Sequence, residues 1–519
     1  MSDIQATPFA TSSEDAIART IDIESDHSAV RFNSDTPLLD HISEFEDFYE
    51  IERTARDIVD GGFKRVALQF PDLLLPDSVP IYRLLKRRVG EAHELYVLAD
   101  TSYGSCCVDE VAAQHVDADF MVHYGHACMS QTYRLPVLYI FGRRPIDVDD
   151  CATQLADTLK SSCSGSDPLE SNKKPVILRH DVAYTYQADT IVAKVREQLE
   201  ALGVSVPVLY QTLPSRFSPP AQKDADVTTS TQLPIKGDLP VTLENGVILY
   251  IGGESLGLTN LLMTHASCDI YSYDPSSKTV RQESTRTNRL LMRRYAIVQK
   301  ARDADVFGIL IGTLGVASYL PLISHIRTLL ARARKKSYTI SVGKLNPAKL
   351  ANFMEIECFV LVACPENSVI EAKEFYRPII TPYELEVALQ AEGTWTGRYV
   401  LNFETLLSEH ANEDQSFATA NEEEDPDRPM FSLVTGKYRH AKRYGGHEET
   451  TEGTNEANPT AVILRNQDGT VSRLDDSAAG QFLQSRSYRG LETRTGQDAP
   501  SILEQGRSGI ARGYSDDHR

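Results

Sequence analysis

Basic residues are scarce in this chain: 53 Lys and Arg stand against 73 Asp and Glu, leaving a formal net charge of −20. That sign excludes a nucleic-acid backbone or an anionic membrane surface as the main partner, because both would repel it. Cysteine is scarce too. Eight cysteines, unevenly spaced over 519 residues, are too few for the disulfide framework of a secreted protein. The first twenty residues, MSDIQATPFATSSEDAIART, contain no apolar core, so no secretory leader is expected and a reducing, cytoplasmic location is. Long hydrophobic runs are nearly missing. The nearest, VFGILIGTLGVASYLPLIS (306–324), is uncharged and almost long enough to span a bilayer. Gly308, Gly312, Gly315 and Pro321 interrupt it, so FGILI followed by GTLG reads as a buried strand, a glycine turn and a helix start.

What is present is globular. Apolar residues make up 41% and charged residues 24%. The length is about three times a 150-residue domain. Residues 1–40 are polar and without periodicity, and are expected to be disordered. A helix is expected from about Ser43. Short apolar runs then alternate with helical patterns: RVALQF (65–70), SVPIYRLLKRRV (78–89), ELYVLAD (94–100), DEVAAQHV (109–116) and DFMVHYG (119–125). The alternation restarts at PVILRH (175–180), and again at DVFGILIGTLG (305–315), ending on CFVLVAC (358–364). Alternating strands and helices predict parallel α/β sheets. The repetition at a spacing of 100 residues or more predicts duplicated domains rather than a solenoid. The expected division is 41–165, 166–300 with an inserted loop at 214–240, and 301–408. Beyond 409 an acidic linker (412–429 disordered) leads into a largely flexible tail, in which 431–438 and 484–492 are expected to dock on the body.

Cysteine carries the chemistry. In open parallel sheets ligands sit outside the carboxyl ends of strands. GSCC (104–107), Cys128 and Cys364 all follow strands at such ends. Three convergent thiolates with no fourth point to a [4Fe–4S] cluster with one iron open, and soft thiolates favour iron–sulfur or zinc over magnesium or calcium. By default, however, a cysteine at a strand end is a small core residue. Cys151, Cys163, Cys268 and Cys358 are placed in that class: Cys151 and Cys163 flank a polar loop, and Cys358 opens a strand and should point away from the site. Of the neighbours Cys106 and Cys107, Cys107 is preferred, because adjacent residues on one turn rarely both reach one metal. His123 and His126 read as structural histidines, GGESLG (252–257) as a plain glycine turn, and RARKK (332–336) as a solvated helix end.

The blocks FYEIERTARDIVDGGFKRVALQFPDLLLPDS (48–78), YVLADTSYGSCCVDEVAAQHVDADFMVHYGHAC (96–128), GTLGVASYLPLISHIRTLLARARKKSYTISVGKLNPAKLANF (312–353) and CFVLVACPENSVIEAKEFYRPIITPYELEVAL (358–389) resemble the diphthamide synthase family. DTSYGSCCVDE, with FSLVTGKY and SRSYRGLETRTGQ in the tail, resembles the second subunit of its eukaryotic heterodimers. The resemblance implies three Rossmann-like α/β domains of common ancestry around a central iron–sulfur site. It implies a [4Fe–4S] cluster on Cys107, Cys128 and Cys364, with Cys106 the alternate to Cys107. It also implies a radical transfer of a 3-amino-3-carboxypropyl group from S-adenosylmethionine to a histidine of translation elongation factor 2. Catalytic members take one cysteine from each domain. Here the middle domain offers only Cys268, which stands before a strand. The resemblance therefore implies a division of labour. A homologous catalytic subunit 1 would bind S-adenosylmethionine, and this chain's cluster would relay electrons from a small iron-carrying protein. A self-sufficient homodimeric iron–sulfur enzyme, either a radical transferase or a quinolinate-synthase-like dehydratase, is the alternative. One ligand per domain would favour it.

Overall fold

The computed structural model describes residues 42–98, 104–130, 132, 134–163, 175–204, 206–218, 235–236, 246–316, 318–370, 374–390, 397–413 and 429–440, with the pieces 464–465, 471–472, 478–479 and 482. The chain clusters into two compact units, 1–451 and 452–519. The expected disorder of 1–40 and docking of 484–492 lie outside the described residues, as does nearly all of 412–429. In the second unit the described residues include one antiparallel pair, Leu464–Arg465 with Val471–Ser472.

Three sheets build the first unit. In the first, β1 (Arg65–Gln69), β2 (Glu94–Val97), β3 (Phe120–Tyr124) and β4 (Val137–Ile140) lie in the order β2-β1-β3-β4, all parallel. The second holds β5 (Val176–His180), β6 (Val208–Gln211), β9 (Val247–Ile251) and β10 (Asp269–Asp274), parallel in the order β10-β9-β5-β6, with β11 (Thr279–Gln282) antiparallel beside β10. The third places β12 (Val306–Ile311), β13 (Lys336–Ser341), β14 (Cys358–Val362) and β15 (Ile379–Ile380) in the order β13-β12-β14-β15. Taken by occurrence along the chain, each sheet has the order second, first, third, fourth. The central strands read as near-continuous apolar runs because helices cover both faces. β3, β9 and β14 are buried along their whole lengths.

Local chemistry fixes the helix starts. Ser255 accepts a hydrogen bond from the Leu258 N–H at the head of Leu256–Thr264. Thr381 and Glu384 form a reciprocal capping box before Pro382–Leu389. The helical region expected from Ser43 is two helices, Ile42–Phe48 and Ile51–Gly61, separated by Glu50 in the left-handed region at φ 48°.

The structure corrects three expectations. Cys151 and Cys163 do not flank a loop: they belong to the helix Val148–Cys163, and Cys151 is fully buried. Its inward face is built from Cys151, Ala152, Leu155, Ala156 and Leu159, and small residues gave it only a weak apolar stripe. The insertion 214–240 is not all loop. β7 (Arg216–Phe217) returns to pair antiparallel with β4, and β8 (Ile235–Lys236) pairs with β6. The basic run at 332–336 is not simply solvated: the helix ends at Arg332, and Lys335 pairs with buried Asp305 at 2.6 Å.

The hairpin β16 (Met430–Phe431) with β17 (Tyr438–Arg439) is docked as expected for 431–438. Ser432 Oγ donates to Asp303 Oδ2 at 2.6 Å, and Arg439 pairs with Asp305. Among the described residues no helix is long and apolar enough to cross a membrane.

Candidate metal centre

The thiols meet where the first and third sheets present their carboxyl ends to each other. After β2 the chain makes a tight turn, Gly104 to Cys107, closed by the Cys107 N–H to Gly104 O at 3.2 Å. Gln69, the last residue of β1, brackets it: its Nε2 donates to Cys107 O at 2.8 Å and its Oε1 accepts from the Asp109 N–H at 2.9 Å. Asp109 then caps the helix Glu110–Gln114. Cys128 follows β3, and its N–H donates to Cys106 O at 3.1 Å. Cys364 follows β14, and Ser368 Oγ donates to the carbonyls of Ala363 and Cys364, tying the loop behind it.

The Sγ atoms of Cys106, Cys107, Cys128 and Cys364 all lie within 4.8 Å of one another. Cys106 is 3.7 Å from Cys364, and Cys107 is 3.8 Å from Cys128. The structure thus brings together Cys107, Cys128 and Cys364 and adds Cys106, so the turn presents both neighbours. The sulfurs are closer than the roughly 6–8 Å expected around a cubane. Cys151, Cys268 and Cys358 stand apart as buried core residues.

Four thiols in contact titrate as a set. Hydrogen bonds from Cys106, Cys107 and Cys364 hold Cys128 well below the ordinary thiol value. Contacts with Cys107, Cys128 and Cys364, together with burial, push Cys106 well above it. The donor set is all sulfur, three thiols buried and Cys128 half-buried, and it fits a soft metal or an iron–sulfur cluster.

A polar shell surrounds the thiols, and sequence reasoning missed most of it. His126 Nε2 and Glu366 Oε2 form a 2.7 Å ion pair between the first and third sheets. Burial opposes protonation of His126, but the Glu366 carboxylate outweighs it and raises His126 to about 9. Burial raises Glu366 against the opposing pull of His126. His123 is structural, as read: it lies wholly buried with Nε2 donating to Ser105 O at 3.1 Å, and burial lowers it to about 4. Asn367 Nδ2 donates to Cys106 Sγ at 3.3 Å. The middle sheet brings no thiol here. It brings Asp181, after β5, whose charge also favours protonated His126. Gly315 packs so close that a Cβ there would stand 2.3 Å from Val108 O, and no larger residue fits between the two loops.

Parallel α/β sheets joined around four clustered thiols define the class: an α/β protein whose cysteine set could hold a soft metal. The sequence profile described as "Putative diphthamide synthesis protein" matches residues 70–400, and the chain belongs to that family. Curated relatives named 2-(3-amino-3-carboxypropyl)histidine synthase subunit 2 match along most of its length. The one from Cryptococcus neoformans is 40% identical over 484 residues, 91% of this chain and 92% of its own. The one from Gallus gallus is 39% identical over 515 residues, 99% of each chain. That from Schizosaccharomyces pombe is 41% identical over 478 residues, 90% of each. A solved structure, Dph2 from Pyrococcus horikoshii with a 4Fe-4S cluster, aligns with 21% identity and a TM-score of 0.49, covering 68% of this chain and 94% of that one.

Proposed function

We propose that this chain is the second subunit of a heterodimeric synthase acting in the cytoplasm. The complex transfers the 3-amino-3-carboxypropyl group of S-adenosylmethionine to a histidine of translation elongation factor 2. Three α/β domains of common ancestry, 41–165, 166–300 and 301–408, surround the centre. Cys107, Cys128 and Cys364 hold a [4Fe–4S] cluster. Bound there, such a cluster would supply one-electron chemistry to the homologous catalytic subunit, with a small iron-carrying protein as the donor. S-adenosylmethionine belongs to the catalytic partner. The names of the relatives support the complex. The relay role is carried by one observation: the thiols come from the first and third sheets alone, while the middle sheet contributes Asp181 after β5.

The chain's own residues have defined tasks in this reading. Gln69 and Ser368 fix the backbone of two thiolate-bearing loops. The His126–Glu366 pair clasps the two loops across the sheet boundary. Burial limits the access of water and dissolved oxidants, which would otherwise displace the metal or oxidise the thiolates.

The test is a single-turnover assay of the assembled heterodimer, with elongation factor and S-adenosylmethionine, under anaerobic conditions. Cys107→Ala, Cys128→Ala and Cys364→Ala should each slow product formation with a strong chemical reductant and abolish it with the cellular donor. Complete loss with the strong reductant, in a variant that still assembles, would mean that this centre itself performs the cleavage. The 3.7 and 3.8 Å sulfur contacts favour a second reading. A single zinc in four thiolates, at metal–sulfur lengths of about 2.3 Å, has tetrahedron edges of about 3.8 Å. Acid-labile sulfide in the purified chain separates the two.

A further inference from the structure

We propose that Cys106 is the fourth thiolate of this centre, so that no iron is left open, and that Asn367 is the positioning residue that holds it there. The inference rests on the iron–sulfur reading above and sharpens it. A cluster held by three cysteines keeps one iron free for a substrate, whereas one held by four is coordinatively closed and suited to carrying electrons.

Three observations carry it. Cys106 Sγ lies within 4.8 Å of all three other sulfurs, and at 3.7 Å it touches Cys364 from the opposite sheet. A core cysteine has carbon neighbours, whereas this one faces sulfur and an amide donor. The backbone is committed as well. Cys106 O accepts from the Cys128 N–H and the Gly104–Cys107 turn is closed on itself, so the Cys106 side chain is fixed relative to two other thiols. Finally, room has been kept for the amide. A Cβ on Gly104 would lie 2.1 Å from Asn367 Nδ2, so glycine is what lets Asn367 reach Cys106. Asn367 stands three residues after Cys364, so one loop supplies both a thiolate and the donor to its neighbour. An N–H donated to a ligating sulfur stabilises the extra negative charge of the reduced state and raises the potential.

The experiment uses the full chain, loaded anaerobically with iron-57 and sulfide. An open iron is probed in two ways: by cyanide, read as a change in the EPR and Mössbauer spectra, and by ferricyanide, read as the yield of a three-iron signal. The wild type should be silent to cyanide and resist loss of iron. Cys106→Ala should bind cyanide and give at least about tenfold more three-iron product. Cys106→Ser, which keeps a ligating oxygen, should fall between them. Asn367→Leu should keep four irons but titrate lower, by about tenfold in the reduced-to-oxidised ratio at a fixed potential, or ~59 mV for one electron. A wild-type cluster that takes cyanide and sheds iron readily overturns the fourth-thiolate assignment, whatever the variants do. An unchanged potential in Asn367→Leu overturns its role. Metal bound without sulfide overturns the iron–sulfur reading itself, and this inference with it.

Discussion

The outer sheets and the middle sheet share one strand order but not one chemistry. In the first and third sheets the strand that occurs third, β3 or β14, runs out into a cysteine within a few residues, Cys128 or Cys364. In the middle sheet the corresponding strand is β9, and it runs into Gly252 and a plain turn. Cys268, in the middle sheet, precedes β10, at the amino end of the strand, and packs with Ile248, Leu262 and Ile270. A cysteine thus joins the thiol cluster or fills the core according to which end of a parallel strand it occupies, because the carboxyl ends face the cluster.

The largest test of this contrast is metal content. Cys128→Ala and Cys364→Ala should each reduce bound iron to less than about a tenth of wild type. Cys268→Ala should leave iron unchanged and cost about 1–2 kcal/mol from a small cavity. Iron analysis and urea denaturation on the same preparations measure both, and iron loss in Cys268→Ala would break the comparison.

Next is a buried bracket of the third sheet, beside Cys358 at the amino end of β14. Arg294, on the helix Ser284–Arg302, is buried with its Nε donating to Glu384 Oε1 at 2.7 Å and its guanidinium bonded to the carbonyls of Ile370 and Ile379. Tyr399 donates to the same carboxylate. Arg294→Met strands a buried Glu384 and should cost about 3–5 kcal/mol, read as a lowered denaturation midpoint. A neutral result would mean that the bracket adds nothing to the third sheet.

A smaller effect should follow pH. His123 supports the cysteine turn through Ser105 and is lowered from 6.5 to about 4 by burial. A base whose folded value lies below its unfolded value contributes fully above pH 6.5. That contribution is lost as pH falls from 6.5 through 4, by roughly 3 kcal/mol in all. His123→Gln, which can still donate to Ser105 O, should flatten that part of the stability profile. His180, buried at the end of β5 beside Asp181 and Tyr210, gives the middle-sheet control. His180→Gln should leave iron loading untouched.

The smallest effect is at the hairpin. Ser432→Ala removes the bond to Asp303 and the one accepted from the Thr435 N–H, and should cost about 1–2 kcal/mol, seen as faster hydrogen exchange confined to 430–439.

The sequence made the sheets legible because strands buried on both faces are short, apolar and separated by helical periods. It hid the helix Val148–Cys163, whose buried face is largely alanine and cysteine. It hid Ser284–Arg302 for another reason. That helix buries an arginine whose counter-charge, Glu384, lies ninety residues away, and no local pattern announces such a pair. At the centre, the cysteines were legible from their position after strands. Gln69, Glu366 and Asn367 were not, since each acts by a hydrogen bond to a residue at least 38 positions distant.

The order of the thiols along the chain has a consequence for biogenesis. Cys364 emerges 236 positions after Cys128. A ribosome adding roughly 5–20 residues per second needs on the order of tens of seconds to cover that distance. Throughout that interval the nascent chain displays Cys106, Cys107 and Cys128 with neither the last thiol nor the Asn367 amide to enclose them. Any loading that uses all four thiols therefore waits until Cys364 has been made, and until then the growing chain presents three unshielded sulfurs to any oxidant or stray metal it meets.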